Sequence, residues 1–245
     1  MILSATRKPL KLTEYAGLVL RDGPVVYYRM DDTAGTQVTD LSPNRLHGTI
    51  NGGVTRAQPG ATHDGDFAMA FDGSSGYINV PLTSTTNIPS TAPMTIEAWV
   101  YPYSFNARSA PSGQSGWCIA ATNGTGNNDG WSWGFDGSGG LWWWPAPHAD
   151  VRFQSQVVAQ RQWSHIVLVS TGSQVSFYVN GRQITSAGNS GQGASNERFW
   201  VGGCGWVNGW TYGLIDEFAL YPRALTAQQV MDHYNAGRMG ARRIN

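Results

Sequence analysis

From Val25 onward the chain alternates short apolar runs with clusters of Gly, Asn, Asp and Ser, a period-two pattern that predicts strands. Val25–Met30 is the first expected strand, with a turn at Asp31–Gly35. Ala68–Phe71 and Tyr77–Val80 flank the tight loop Asp72-Gly73-Ser74-Ser75-Gly76. Met94–Tyr101 is apolar on both alternating faces, which predicts a strand in the middle of a sheet, closed by Pro102. Residues 104–116 and 122–130 are rich in Ser, Gly and Asn and read as loops. Trp131–Phe135 and Leu141–Trp144 pair across a Gly-rich turn, and Ile166–Ser170 pairs with Val175–Val179. Asn180-Gly181 is the strongest short-range hairpin signal, joining Val175–Val179 to Arg182–Thr185. Phe199–Val201 and Tyr212–Tyr221 complete the strands.

Two helices are predicted at the ends of this run. Thr13 caps a short one that carries Tyr15, Leu18 and Val19 on one side and stops at Asp22-Gly23-Pro24. The second starts at Thr226, which forms a capping box with Gln229, while Leu225 and Val230 form a hydrophobic staple. Val230 and Tyr234 share its docking face, and Gly237 is expected to end it.

Composition agrees with a sheet protein. Charged residues make up 13% of the 245 positions, half of the ~25% usual for soluble domains, while there are 31 Gly and 11 Trp. The formal net charge is zero, so no general attraction to nucleic acid or to an anionic membrane is expected. The length suits one large β domain. No apolar run approaches the ~18 residues of a membrane span. Arg7, Lys8, Lys11 and Glu14 near the start are not followed by an apolar core, so no cleaved secretory signal is expected. Cys118 and Cys204 both fall in expected strands, and cytoplasmic synthesis predicts buried thiols rather than a disulfide.

Several segments in fixed order resemble the laminin-G-like, concanavalin A-like jelly-roll family. They are Pro24-Val25-Val26-Tyr27-Tyr28-Arg29-Met30, Leu46-His47-Gly48, Ile96-Glu97-Ala98-Trp99-Val100, Trp163-Ser164-His165-Ile166, the Tyr178-Val179-Asn180-Gly181 turn, the strand through Asp216-Glu217, and His233-Tyr234-Asn235-Ala236-Gly237. The resemblance implies an all-β fold: an antiparallel two-sheet jelly-roll sandwich with a short N-terminal helix and a C-terminal helix. It divides the chain into an arm and helix (1–23), the jelly roll (24–237) and a short basic tail (238–245). Glu14 to Tyr28 is similar to the opening segment of laminin-G-like proteins among bacteriophage structural proteins.

The resemblance also frames the chemistry. The glucanase branch sets its carboxylates on one strand as Glu-x-Asp-x-x-Glu, a run that is missing here, although glycosidases need two carboxylates facing one bond. Glu97 stands alone among apolar residues, and strict alternation sends Asp216 and Glu217 to opposite faces, so each is expected to be structural. His165 is expected to be packed and hydrogen-bonded. Jelly rolls of this kind often join their first and last strands through an ion site. The corresponding calcium set is Asp31, Asp32 and Asp216, with turn hydrogen bonds as the alternative for Asp31 and Asp32. The tryptophans are the remaining signal. Trp117, Trp142, Trp143, Trp144, Trp206 and Trp210 are candidates for sugar stacking or a subunit interface, against the alternative of core filling. Alternation sends Trp142 and Trp144 to one face and Trp143 to the other.

The expected function is non-enzymatic: a phage virion structural protein, either a capsid decoration or a tail-associated subunit. It would be a homo-oligomer, bound to other virion proteins, assembled in the host cytoplasm and able to bind glycan. A lectin module recognising a cell-surface glycan is the alternative. Ile2, Leu3, Leu10 and Leu12 mark an assembly arm, and the segment before Pro24 is expected to contact another chain more than its own sandwich.

Overall fold

The computed structural model describes residues 14–62, 65–105, 116–122, 130–145, 151–152, 156–191, 198–204 and 209–239. The chain starts with α1 (Glu14–Arg21), β1 (Val26–Tyr28), β2 (Gln37–Val38), β3 (Gly48–Asn51), β4 (Val54–Pro59), β5 (Phe67–Asp72) and β6 (Tyr77–Asn79). It continues with β7 (Pro93–Pro102), β8 (Gly116–Ala121), β9 (Trp131–Asp136), β10 (Leu141–Pro145), β11 (Val151–Arg152), β12 (Ser164–Thr171) and β13 (Gln174–Val179). Last come β14 (Arg182–Gly188), β15 (Trp200–Val201), β16 (Gly203–Cys204), β17 (Gly209–Trp210), β18 (Tyr212–Tyr221) and α2 (Ala227–Met239).

Two antiparallel sheets form the sandwich of a concanavalin A-like jelly roll. The first runs β14-β13-β12-β7-β18-β5-β4, with β1 also on β18; the second runs β11-β10-β9-β8-β15-β6-β3-β2. Between them lies the main core. Ile96, Ala98, Val100, Ile166, Leu168, Ile215, Phe218 and Leu220 of the first sheet meet Trp117, Trp131, Trp133, Phe135, Trp143 and Val201 of the second. The central position expected for Met94–Tyr101 holds, since β7 is flanked by β12 and β18. β2 to β4 escaped the apolar pattern because they lie near or at sheet edges; β4 alternates between half-buried and exposed and ends in Pro59.

The outer face of the first sheet is buried as well. Tyr15, Ala16 and Val19 of α1 and Val230 of α2 cover Tyr27, Trp99, Val167, Tyr178 and Tyr221. The helix before Pro24 therefore docks on its own sandwich, which for its described residues overturns the expectation that the segment before Pro24 contacts another chain more than its own sandwich. Charge misled there, because Arg21 and Glu14 line the solvent side of a helix whose other side is apolar. Ile2, Leu3, Leu10 and Leu12 lie outside the described residues.

Asn180 and Gly181 make the two-residue turn with φ of 52° and 78°, the left-handed pair that a type I′ hairpin needs. Gly237 does not end α2, which runs on to Met239. It is a packing residue: a Cβ there would sit 2.5 Å from Cζ2 of Trp99 and 3.2 Å from Cδ2 of Tyr15. The capping box forms as expected. Gln229 N–H donates to Thr226 Oγ1 at 3.2 Å, and Thr226 N–H donates to Gln229 Oε1 at 2.9 Å. Thr226→Ala is expected to lower stability by about 1 kcal/mol, read from the urea midpoint; an unchanged midpoint would mean that the cap contributes nothing.

No helix among the described residues is long and apolar enough to cross a membrane.

Candidate functional site

Three polar or aromatic constellations stand out, two on the outer face of the first sheet and one on the outer face of the second. Glu97, in the middle of β7, organises the first. Its carboxylate is fully buried and accepts hydrogen bonds from Tyr15 OH (2.7 Å), Tyr221 OH (2.9 Å), His165 Nε2 (2.8 Å) and His233 Nδ1 (2.9 Å). His233 Nε2 faces Asp22 Oδ2 at 2.9 Å. With a carboxylate against each ring nitrogen, His233 carries both protons and is an imidazolium. Burial opposes the charge, but Glu97 and Asp22 outweigh it and raise the His233 pKa above its ordinary value. Burial likewise opposes ionisation of Glu97, and the two histidines overcome it, holding its carboxyl well below the usual range. α1, α2 and β7 thus share one buried ionic junction.

The second constellation arises where the ladder of β18 breaks. β5 pairs with Tyr212–Ile215, β1 pairs with Phe218–Leu220, and a bulge separates Asp216 from Ala219 in the pairing with β7. Ile215 and Phe218 face the core, so Asp216 and Glu217 both point outward, with Glu217 at φ 52°. Strict alternation had placed them on opposite faces; the bulge is the reason it fails. Arg29, just past β1, and Asp66, just before β5, enter the gap. Arg29 donates from Nε to Glu217 Oε1 (3.2 Å) and pairs through Nη1 with Asp31 (3.1 Å) and through Nη2 with Asp66 (3.8 Å). Tyr27 OH donates to Glu217 Oε2, and Ala61 N–H donates to Asp216 Oδ2 at 2.7 Å. Burial and neighbouring carboxylates push Asp216 upward, and burial, opposed by Arg29, pushes Glu217 up to about 8.

Carboxylate oxygens of Asp66, Asp216 and Glu217 lie within 4.8 Å of one another. Calcium binds oxygens at ~2.3–2.6 Å, so two ligands across one ion stand up to about 5 Å apart. The donor set therefore fits a hard cation, and more acid than base is buried there. Asp216 joins this group, but Asp32 does not: it accepts from Thr39 N–H and Thr39 Oγ1, both at 2.7 Å. Asp31 accepts from Phe67 N–H at 2.8 Å and pairs with Arg29. An ion here would neutralise the excess carboxylate charge between the first and last strands.

The third constellation is built by register. Residues directly opposite in neighbouring strands share a face. One rung crosses the second sheet as Trp144, Ser132, Ala121, Trp200, Asn79, Thr49 and Gln37. Trp117, Trp131, Trp133 and Trp143 point inward, so this rung lies on the outer side. Trp144 and Trp200 are half-buried, and Asn79, Thr49 and Gln37 are exposed. The hairpin of β16 and β17 packs onto the middle of this face, where Cys204 meets Cys118, Ala121 and Trp142. Trp210, half-buried on β17, lies 6.3 Å from Trp200 and 6.1 Å from Tyr77. Tyr77 stacks 4.2 Å from Trp200, and the Arg198 guanidinium lies 4.6 Å over the same ring. The Ser132 hydroxyl is buried without a protein partner.

Of the predicted tryptophans, Trp117 and Trp143 are core residues with no exposed surface, and Trp142 is buried under the hairpin. Trp144 packs beside the hairpin on the outer face, and Trp210 is part of the hairpin. Trp206 lies outside the described residues. Sequence reasoning missed Tyr77, Trp200 and Arg198 on this face, and Asp66, Arg29, Asp22 and His233 in the two clusters. Arg29 had a usable signal, as a lone cation in an otherwise apolar strand.

Solved structures share this architecture. The binding domain of Paraclostridial Mosquitocidal Protein 1 matches at 19% identity and a TM-score of 0.69, over 89% of this chain and 53% of that one. The chain thus spans about half of that structure. Trypanosoma rangeli sialidase in complex with sialic acid matches at 16% identity and 0.65, over 89% of this chain and 33% of that one. Domain 4 of AbnA, an extracellular arabinanase from Geobacillus stearothermophilus in complex with arabinotriose, matches at 24% and 0.62, over 86% and 98%. A search of curated protein sequences found no match. Residues 72–231 match the sequence profile of the concanavalin A-like lectin/glucanases superfamily, and the chain belongs to that superfamily.

Proposed function

We propose that this chain is a non-catalytic carbohydrate-binding module whose ligand face is the outer side of the second sheet, between Trp144 and Trp210. The observation that carries the reading is the rung itself: half-buried indoles beside exposed Asn79, Thr49 and Gln37. Flat apolar rings next to neutral amides and hydroxyls suit a sugar, which offers apolar C–H faces and a rim of hydroxyls. Domain 4 of the arabinanase, which this chain covers almost completely, was solved with a saccharide. Hydrolysis is disfavoured, because Glu97, Asp216 and Glu217 are fully buried on the opposite side of the sandwich.

The test is a glycan array followed by titration of the best hit. Trp144→Ala and Trp210→Ala are each expected to weaken binding about tenfold or more, with little change in Tm. Absence of any glycan hit, or unweakened binding by the double variant, would sink the reading.

For its carrier we propose a phage virion, with the module as a homo-oligomeric surface subunit. The similarity of Glu14 to Tyr28 to the opening segment of phage laminin-G-like proteins favours this. Copurification with assembled particles at fixed stoichiometry is the expected result; recovery only as free protein would contradict it.

A further inference from the structure

Cys118 lies on β8 and Cys204 on β16, so the two belong to separate elements that meet on the outer face of the second sheet. Both are free thiols with no exposed surface. They share a small apolar cluster with Ala121 and Trp142, in which Cys118 Sγ donates to Ala120 O at 3.6 Å and Cys204 Sγ donates to Gly209 O at 3.7 Å. The backbone around them is tied down. Gly202 N–H donates to Ile119 O at 2.8 Å, Thr211 Oγ1 donates to Cys118 O at 2.9 Å, and Thr211 N–H donates to Gly202 O at 2.9 Å. Both ends of the hairpin base are thereby held on or beside β8, next to the sulfurs.

We propose that Cys118 and Cys204 are a dithiol that closes to a disulfide in an oxidising environment, bolting the β16–β17 hairpin to β8. The oxidant is a low-molecular-weight disulfide. One cysteine thiolate attacks it, forming a mixed disulfide and releasing one small thiol. The second thiolate attacks the protein-side sulfur of that bond, forming Cys118–Cys204 and releasing the second small thiol. Two protein thiols lose their protons and are oxidised, and one small disulfide is reduced to two thiols. Burial raises the Cys118 thiol pKa, so attack proceeds from an opened hairpin, and closure follows when the hairpin returns.

The fold supplies the driving force. In the unfolded chain about 85 residues separate the sulfurs, whereas folding places both in one small buried cluster. Folding should therefore favour the bond, and by linkage the bond should favour the fold by the same factor. The hairpin carries Trp210. Any effect of the bond on sugar binding rests on the function proposed above; its formation does not.

The experiment equilibrates the full chain in graded oxidised and reduced glutathione, natively and in urea, from both the reduced and the oxidised side. Peptide mapping after acid quenching reads the bond. The native chain is expected to oxidise at a glutathione ratio at least about 30-fold more reducing than the unfolded chain, with Tm rising by about 5–15 °C. Cys118→Ser and Cys204→Ser should show neither effect. Equal or easier oxidation in urea, or only mixed or intermolecular disulfides in the native chain, would overturn the proposal. Glycan titration of the reduced and oxidised forms is a separate readout, so loss of one reading leaves the other standing.

Discussion

Glu97→Gln is expected to cost about 3–5 kcal/mol of stability, the range for breaking a buried ion pair from one side. The amide cannot balance the His233 imidazolium. It also turns an N–H donor toward a site where Tyr15, Tyr221, His165 and His233 all donate. The same variant should change the pH dependence. Glu97 has a depressed folded pKa, so its contribution is present above about 4.5 and is lost as pH falls through the folded value. His233 has a raised folded pKa, so its contribution is present below about 6.5 and is lost as pH rises through the folded value. The junction is therefore at full strength between those limits. Urea unfolding at pH 5.5 and at pH 8.5 reads the difference, which should shrink in Glu97→Gln. An unchanged midpoint at both values would show that the junction does not hold the helices.

Arg29→Met is expected to cost a similar 3–5 kcal/mol above about pH 8, where Glu217 is ionised, since it leaves Glu217, Asp66 and Asp31 without their guanidinium. Calcium should recover part of that loss, because oxygens of Asp66, Asp216 and Glu217 can share one ion, and sodium at equal ionic strength should not. Thermal unfolding of the variant with and without calcium measures both. A variant as stable as the parent would mean that Arg29 is not the counter-charge; equal rescue by sodium would mean that screening, not coordination, is at work.

How far the sequence announced this structure depends on the range of the interaction. The Asn180-Gly181 turn and the Thr226–Gln229 cap were legible because their physics is local. β7 was legible because a strand buried on both faces is apolar throughout. The ordered segments also carried the family, from which the sandwich followed. Gly237 was misread because a glycine near a helix end looks like a stop, and only the approach of Trp99 explains it. The outward pair Asp216 and Glu217 was misread because a bulge leaves no mark on alternation until the partner strands are known. Among the tryptophans, alternation separated Trp143 from Trp142 and Trp144, but it could not reveal that a hairpin covers Trp142. Tyr77, Asn79 and Trp200 join one face across strands distant in sequence, a proximity that only register shows.

Binding-site mapping by nuclear magnetic resonance on the intact protein tests the central claim most directly. The best glycan from the array is titrated into labelled protein, and indole and amide signals are followed. Trp144, Trp210 and the amides of Asn79 and Thr49 are expected to shift together with a single affinity, while Glu97, His233 and the helices stay still. Shifts confined to the helix-covered face of the first sheet, or no shift with any glycan, would contradict the account.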